Sequence, residues 1–181
     1  MSFYLNYFKS INDQLKSADC KVLGQVSELI KKTSSIQGKV IIVGNGGSAA
    51  MASHVAVDLT KTARIRAINF NESDLITCLA NDFGYENWVA KAIEYYADAN
   101  DLVILISSSG QSENILNGAK KAQSMRIPLI TFSGFSAENP LRKLGEFNLW
   151  VNSSEYNIIE MTHHIWLLAI VDMISGIEIK E

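Results

Sequence analysis

The chain has two cysteines in 181 residues, Cys20 and Cys78, too few for a disulfide framework. Their surroundings are unlike and carry no metal or redox spacing, so they read as reduced, buried thiols of a cytoplasmic protein. An excess of either charge is also missing. The 16 Lys and Arg against 19 Asp and Glu leave a net charge of −3, with both signs interspersed. Neither nucleic acid nor a membrane surface is implied as a partner. The longest apolar stretch near the C-terminus, Ile165-Trp-Leu-Leu-Ala-Ile-Val171, is far short of the ~20 residues a bilayer needs. The first ten residues lack the basic-then-apolar order of a signal peptide. A G-x-G-x-x-G loop and a Walker lysine are absent as well, so no nucleotide cofactor is expected.

What is present is organised around one stretch, Lys39-Val-Ile-Ile-Val-Gly-Asn-Gly-Gly-Ser48. An apolar, mostly β-branched run enters a glycine-rich corner, and from Ala49 to Leu59 apolar residues recur at helical spacing. Strand, tight turn and helix in this order present backbone N–H groups at a helix N-terminus, where the peptide dipoles favour an anion. Sixty residues on, Asp101-Leu-Val-Ile-Leu-Ile106 repeats the apolar run. Ser107-Ser-Ser-Gly-Gln-Ser112 repeats the corner, opening a helix at Glu113. Four serines in six residues can donate to phosphate oxygens without adding positive charge. A Ser-rich loop whose last residue caps a helix is the plain alternative. Two such corners, each directly after an apolar strand, favour a ligand.

Taken in order, Phe3, Tyr7, Ile11 and Leu15 mark a first helix, and Val22, Val26, Leu29 and Ile30 a second after a break at Ser17 to Asp19. Phe3, Tyr4, Tyr7 and Phe8 supply more aromatic surface than one packing face needs, so residues 1–35 are expected to contribute a subunit interface. After the first corner come a strand over 65–70, a short helix from Leu75 to Ala80 and a helix from Glu86 to Ala99. Trp88, Ala92, Ile93 and Tyr96 form the inner face of that last helix. Strands over 127–134 and 147–151 and a long helix from Ile158 to Ile174 complete the chain. Strands alternating with helices, several of them continuous apolar runs, predict an α/β fold with a parallel sheet covered on both faces. The hydrophobic content of 48% suffices for one core, and a single domain over 1–181 is expected.

Gly44-Asn-Gly-Gly-Ser48, Asn81-Asp-Phe-Gly84 and Ser107-Ser-Ser-Gly-Gln-Ser112, in this order and spacing, resemble the sugar isomerase (SIS) domain and, within it, the phosphoheptose isomerase family. The resemblance covers essentially the whole chain. It implies a flavodoxin-like three-layer α/β/α sandwich preceded by an N-terminal helical pair, and a homotetramer with active sites between subunits. It also implies isomerisation of sedoheptulose 7-phosphate to an aldose phosphate for lipopolysaccharide or other surface heptose. Ser107, Ser108, Ser109 and Ser112 would then hold the phosphate, Asn45, Gly46, Gly47 and Ser48 the sugar chain, and Asp82 a hydroxyl.

The resemblance also points to a His and a carboxylate four residues apart, here His54 and Asp58, with Asp where the family has Glu. In the last helix the family pattern is Gln-Glu with a His eight positions after the Gln. Aligned on Glu160, those places fall on Ile159 and Leu167, and the expected proton donor is missing. His163 and His164 lie about one turn earlier. His164, or else His163, is expected to act as the acid and Asp58 as the base in proton transfer through an enediol. Some relatives bind zinc through His, Glu, Gln and His. His54, Asp58, Glu160 and His164 would be the equivalent set for one Zn2+ per subunit. The bland alternatives are a core histidine with a solvated aspartate at 54 and 58, and a subunit interface around Glu160. The rival function is a non-catalytic SIS module that binds a sugar phosphate or a protein, of the type that associates with a replication initiator.

Overall fold

The computed structural model describes residues 2–179. It opens with α1 (Ser2–Lys16) and α2 (Cys20–Ser35), separated where Asp19 caps α2 by accepting from the Lys21 and Val22 amides. Strand β1 (Val40–Gly44) and helix α3 (Gly47–Lys61) follow, then β2 (Ala67–Ile68), α4 (Ser73–Phe83) and α5 (Trp88–Tyr96). The chain continues through β3 (Leu102–Ser107), α6 (Glu113–Ser124), β4 (Leu129–Ser133), a 3-10 turn (Leu141–Lys143), β5 (Phe147–Trp150) and α7 (Tyr156–Ile174).

All five strands are parallel in the order β2-β1-β3-β4-β5. Alternation along the central strands divides the core. Val40, Ile42, Ile104 and Ile106 face α2, α3 and α7, whereas Ile41, Val43, Val103 and Leu105 face α5 and α6. The result is the three-layer α/β/α sandwich. Each fully buried aliphatic side chain contributes on the order of 2 kcal/mol, so the sheet is the rigid part of the molecule. In this strand order the winding reverses between β1 and β3, and ligands sit beyond the carboxyl ends of the strands at that point. Gly44 pairs with Ile106 across the reversal, which brings the Asn45 and Ser107 corners to the same level.

Four expectations are corrected. The strand over 65–70 shrinks to Ala67–Ile68, because at the sheet edge only these two residues pair with β1. The helix over 86–99 ends at Tyr96: Ala97 is extended and the Asp98 amide binds the Asp101 carboxylate instead. Tyr96 lies half out in solvent against Phe70, not on the inner face. Cys20 and Cys78 are exposed.

Candidate active site

The first corner is fixed by glycine. Gly46 has φ 53° and ψ −121°, which a side chain would resist, and no side chain caps α3 behind it. A Cβ at Gly47 would collide with the Glu160 carboxylate, so this glycine allows α7 to bring a carboxylate onto the N-terminus of α3. Asn45 is held by a reciprocal pair with Asn114: its Nδ2 donates to Asn114 Oδ1 (3.0 Å), and Asn114 Nδ2 donates back to Asn45 Oδ1 (2.9 Å).

In the second corner Ser112 stands at the N-cap of α6 without capping it. Its hydroxyl faces Ser107 Oγ at 3.0 Å. The plain capping role therefore does not account for this serine. Gly110 takes φ 66° and leaves the space that the Asn139 side chain fills, fixing the loop from behind. Ser107 and Ser108 are buried, Ser109 and Ser112 half-buried. Together with Asn45, Ser48, Ile106, Tyr156 and Glu160 they line a cavity of about 110 Å³. Among the described residues no Lys or Arg lines it, so an anion here would be held by neutral donors and helix dipoles.

Helix α7 supplies the titratable groups. Glu160 is half-buried, and burial raises its carboxyl above the usual range, partly offset by a long hydrogen bond from Ser108 Oγ (3.5 Å). One turn on, His164 Nε2 meets His54 Nδ1 at 3.0 Å, and His54 Nε2 meets Asp58 Oδ2 at 3.1 Å. Asp58, His54 and His164 therefore form a line between α3 and α7. Burial, and secondarily the neighbouring His54, lower the His164 pKa, while Asp58 raises it. The chain neighbours of Asp58 do not shield it: Val55 and Leu59 face the core and Val57 the solvent.

His163 is corrected. A rotation of about 100° from His164 places it in the core with no exposure, its Nε2 against the Ser133 carbonyl at 3.0 Å and its ring against Phe132. Fully buried, its ring is not placed to meet a ligand as the acid. Leu167 and Ile159, at the places of the family His and Gln, are both core residues.

The zinc set does not assemble. Glu160 turns toward Ser108, and both His54 nitrogens are engaged by protein partners. Among the described residues no group of three or more His, Cys, Asp or Glu is placed to hold a metal ion. The donor set does not fit zinc in this arrangement.

The SIS-domain model matches residues 3–134. The chain is 32% identical over 161 residues to a phosphoheptose isomerase of Helicobacter pylori, covering 86% of this chain and 83% of that one. It is 34% identical over 150 residues to a probable phosphoheptose isomerase of Thermoplasma acidophilum, covering 79% and 81%. The chain belongs to the phosphoheptose isomerase family of SIS domains. Its fold also matches the solved phosphoheptose isomerase of Neisseria gonorrhoeae, with a TM-score of 0.88 at 23% identity over 97% of this chain and 98% of that one. The Francisella tularensis enzyme gives 0.87 at 22% identity over 97% and 95%.

Of the positions expected to bind sugar phosphate in this SIS domain, Asn45, Ser48, Ser107, Ser108, Ser109 and Ser112 share the cavity, with Gly46 and Gly47 forming its corner. Asp82 does not: it is exposed near the end of α4, bonded by Asn81 Nδ2 at 2.9 Å. Sequence reasoning missed Tyr156, Asn114 and Tyr85. Only tertiary structure brings them to the cavity or to Asn45, and no local pattern marks them.

Proposed function

We propose that the chain isomerises sedoheptulose 7-phosphate to an aldose heptose 7-phosphate, with its phosphate in the Ser107 to Ser112 corner. The observation that carries this reading is the paired arrangement: a serine-lined cavity at the sheet's reversal point, and a histidine-carboxylate line further along α3 and α7. The reacting carbons of this substrate lie at the far end of a seven-carbon chain from the phosphate. Seven residues of helix from Gly47 to His54 rise about 10 Å, a comparable length.

The line of bonds supports one assignment of roles. Asp58 accepts from His54 Nε2–H, so His54 Nδ1 is an acceptor and takes His164 Nε2–H, leaving His164 Nδ1 as a free base. His164 removes the proton from C1 of the ketose while O2 gains a proton, giving the enediol. After exchange with solvent, His164 delivers a proton to C2 as O1 loses its own and C1 becomes the carbonyl. In this assignment His164, expected as the acid, is the base, and Asp58, expected as the base, orients His54 and stabilises the transient imidazolium. Glu160, against Gly47 and Ser108, lies at the phosphate end, so the protons on the two substrate oxygens exchange with solvent beside the exposed His54.

The remaining features fit a homotetramer in the cytoplasm that feeds lipopolysaccharide or other surface heptose. Phe3, Tyr4, Leu5 and Phe8 are each more than 60% exposed on α1, an apolar face that a second subunit would cover. No helix among the described residues is long and apolar enough to cross a membrane.

The test is incubation with sedoheptulose 7-phosphate in heavy water, followed by NMR. Aldose product with deuterium at C2 is expected. Substrate that returns unchanged and undeuterated overturns the proposal.

A further inference from the structure

Asn114 is 2% exposed, the second residue of α6, and does not line the cavity. It lies just past the serine corner, yet it bonds to the glycine corner, so its amide ties together the two loops across the β1/β3 reversal. Two acceptors and two donors are engaged in one reciprocal pair with Asn45, at 3.0 and 2.9 Å. A third group completes the arrangement. Tyr85, on the turn that follows Gly84, donates its hydroxyl to Asn45 Oδ1 at 3.3 Å. The Asn45 oxygen thus has both lone pairs occupied, and one of its two amide protons is taken by Asn114. A single N–H remains.

We propose that Asn114 and Tyr85 are positioning residues that convert Asn45 from a rotatable amide with donor and acceptor ends into a fixed single donor for an oxygen of the bound sugar phosphate. This rests on the ligand reading above, but not on turnover. Asn45 presents only a proton, so the site selects an acceptor oxygen at that point. Both corners are registered to each other before the ligand arrives, so little ordering is left to binding. Neither residue touches the ligand.

The discriminating substitution is Asn114→Asp. When ionised, the introduced carboxylate still accepts from Asn45 Nδ2 but faces Asn45 Oδ1 with a second acceptor, so the pair breaks on one side. When protonated, the introduced carboxyl carries the missing donor and restores the pair. Tyr85→Phe removes only the hydroxyl at a residue 56% exposed and is expected to fold normally.

The dissociation constant for sedoheptulose 7-phosphate is measured by calorimetry, with thermal melting as the control for folding. Asn114→Asp is expected to weaken binding roughly tenfold at pH 8, with the ratio to wild type shrinking as pH falls toward 5. Tyr85→Phe is expected to weaken it about threefold with an unchanged melting temperature. In turnover the loss appears in KM, with kcat much less affected. Affinity within twofold of wild type for a folded Asn114→Asp, or a deficit that does not respond to pH, overturns the proposal. If Asn114→Asp does not fold, unchanged affinity in Tyr85→Phe overturns it alone. A wild type that binds the sugar phosphate without isomerising it refutes the activity and leaves this assignment standing. A wild type that does not bind it refutes both.

Discussion

Replacing His163 by Gln isolates a single buried titration. In the native protein the Ser133 carbonyl can only accept, so His163 Nε2 carries the proton and Nδ1 is a buried nitrogen with no partner among the described residues. Protonating Nδ1 would place a charge and an unmatched donor in the core. Burial accordingly lowers the His163 pKa from 6.5 to about 4, against a smaller opposing effect of the Ser133 bond. The unfolded chain takes up this proton below pH 6.5 and the native chain only near pH 4. Stability is therefore lost as pH falls through that window and levels off beneath it. The whole shift is worth at most about 3 kcal/mol, of which about 2 kcal/mol is lost by pH 5. Gln can still donate to the Ser133 carbonyl but does not titrate. At pH 8 His163→Gln is expected to be less stable by about 1–2 kcal/mol for lost packing against Phe132 and Trp166. The assay is urea unfolding at pH 8 and pH 5 for both proteins. The variant should lose about 2 kcal/mol less than wild type between the two pH values. Equal losses in the two proteins refute the reasoning.

Neighbouring His164 has the opposite character. His164→Gln should cut turnover of sedoheptulose 7-phosphate by at least about 100-fold with little change in melting temperature, measured by steady-state kinetics beside thermal melts. Gly47→Ala should push Glu160 off the α3 N-terminus and raise KM by roughly tenfold, and a KM equal to wild type would remove the packing argument. At the other end of the sheet, Asp101 is 1% exposed and accepts from the Lys39 amide, Lys39 Nζ and the Asp98 amide. Asp101→Ala should cost about 3 kcal/mol in urea unfolding at neutral pH. Turnover by the wild type should be insensitive to EDTA and to added zinc, because His54 is engaged by Asp58 and His164 while Glu160 turns to Ser108.

Much of this molecule is legible in its chain because the informative residues are neighbours in sequence. Mostly apolar runs at 40–44, 102–107 and 129–133 mark strands buried on both faces, and each one pairs as a central strand. The serine corner is likewise local. The edge strand is harder to read: residues 65–70 alternate like a strand, but only Ala67 and Ile68 have a partner to bond. Adjacent residues on a helix differ by about 100°, so composition could not decide which of His163 and His164 faces the core. Packing of α7 against β4 and α3 decides it. Asn114 and Asn45 are 69 residues apart and show no pattern that joins them. Asp82 is the converse case. Its motif is clear, but the turn of α4 that carries it leaves the side chain in solvent rather than at the cavity.

In the proposed complex the Ser107 to Ser112 loop grips the phosphate while the sugar chain runs along α3 toward His164. A crystal structure of the protein soaked with sedoheptulose 7-phosphate measures this directly. Phosphate oxygens within hydrogen-bond distance of Ser107, Ser109 and Ser112, with C1 and C2 beside His164, are the expected result. A phosphate seated elsewhere, or a sugar chain directed away from the His54 and His164 pair, would contradict it.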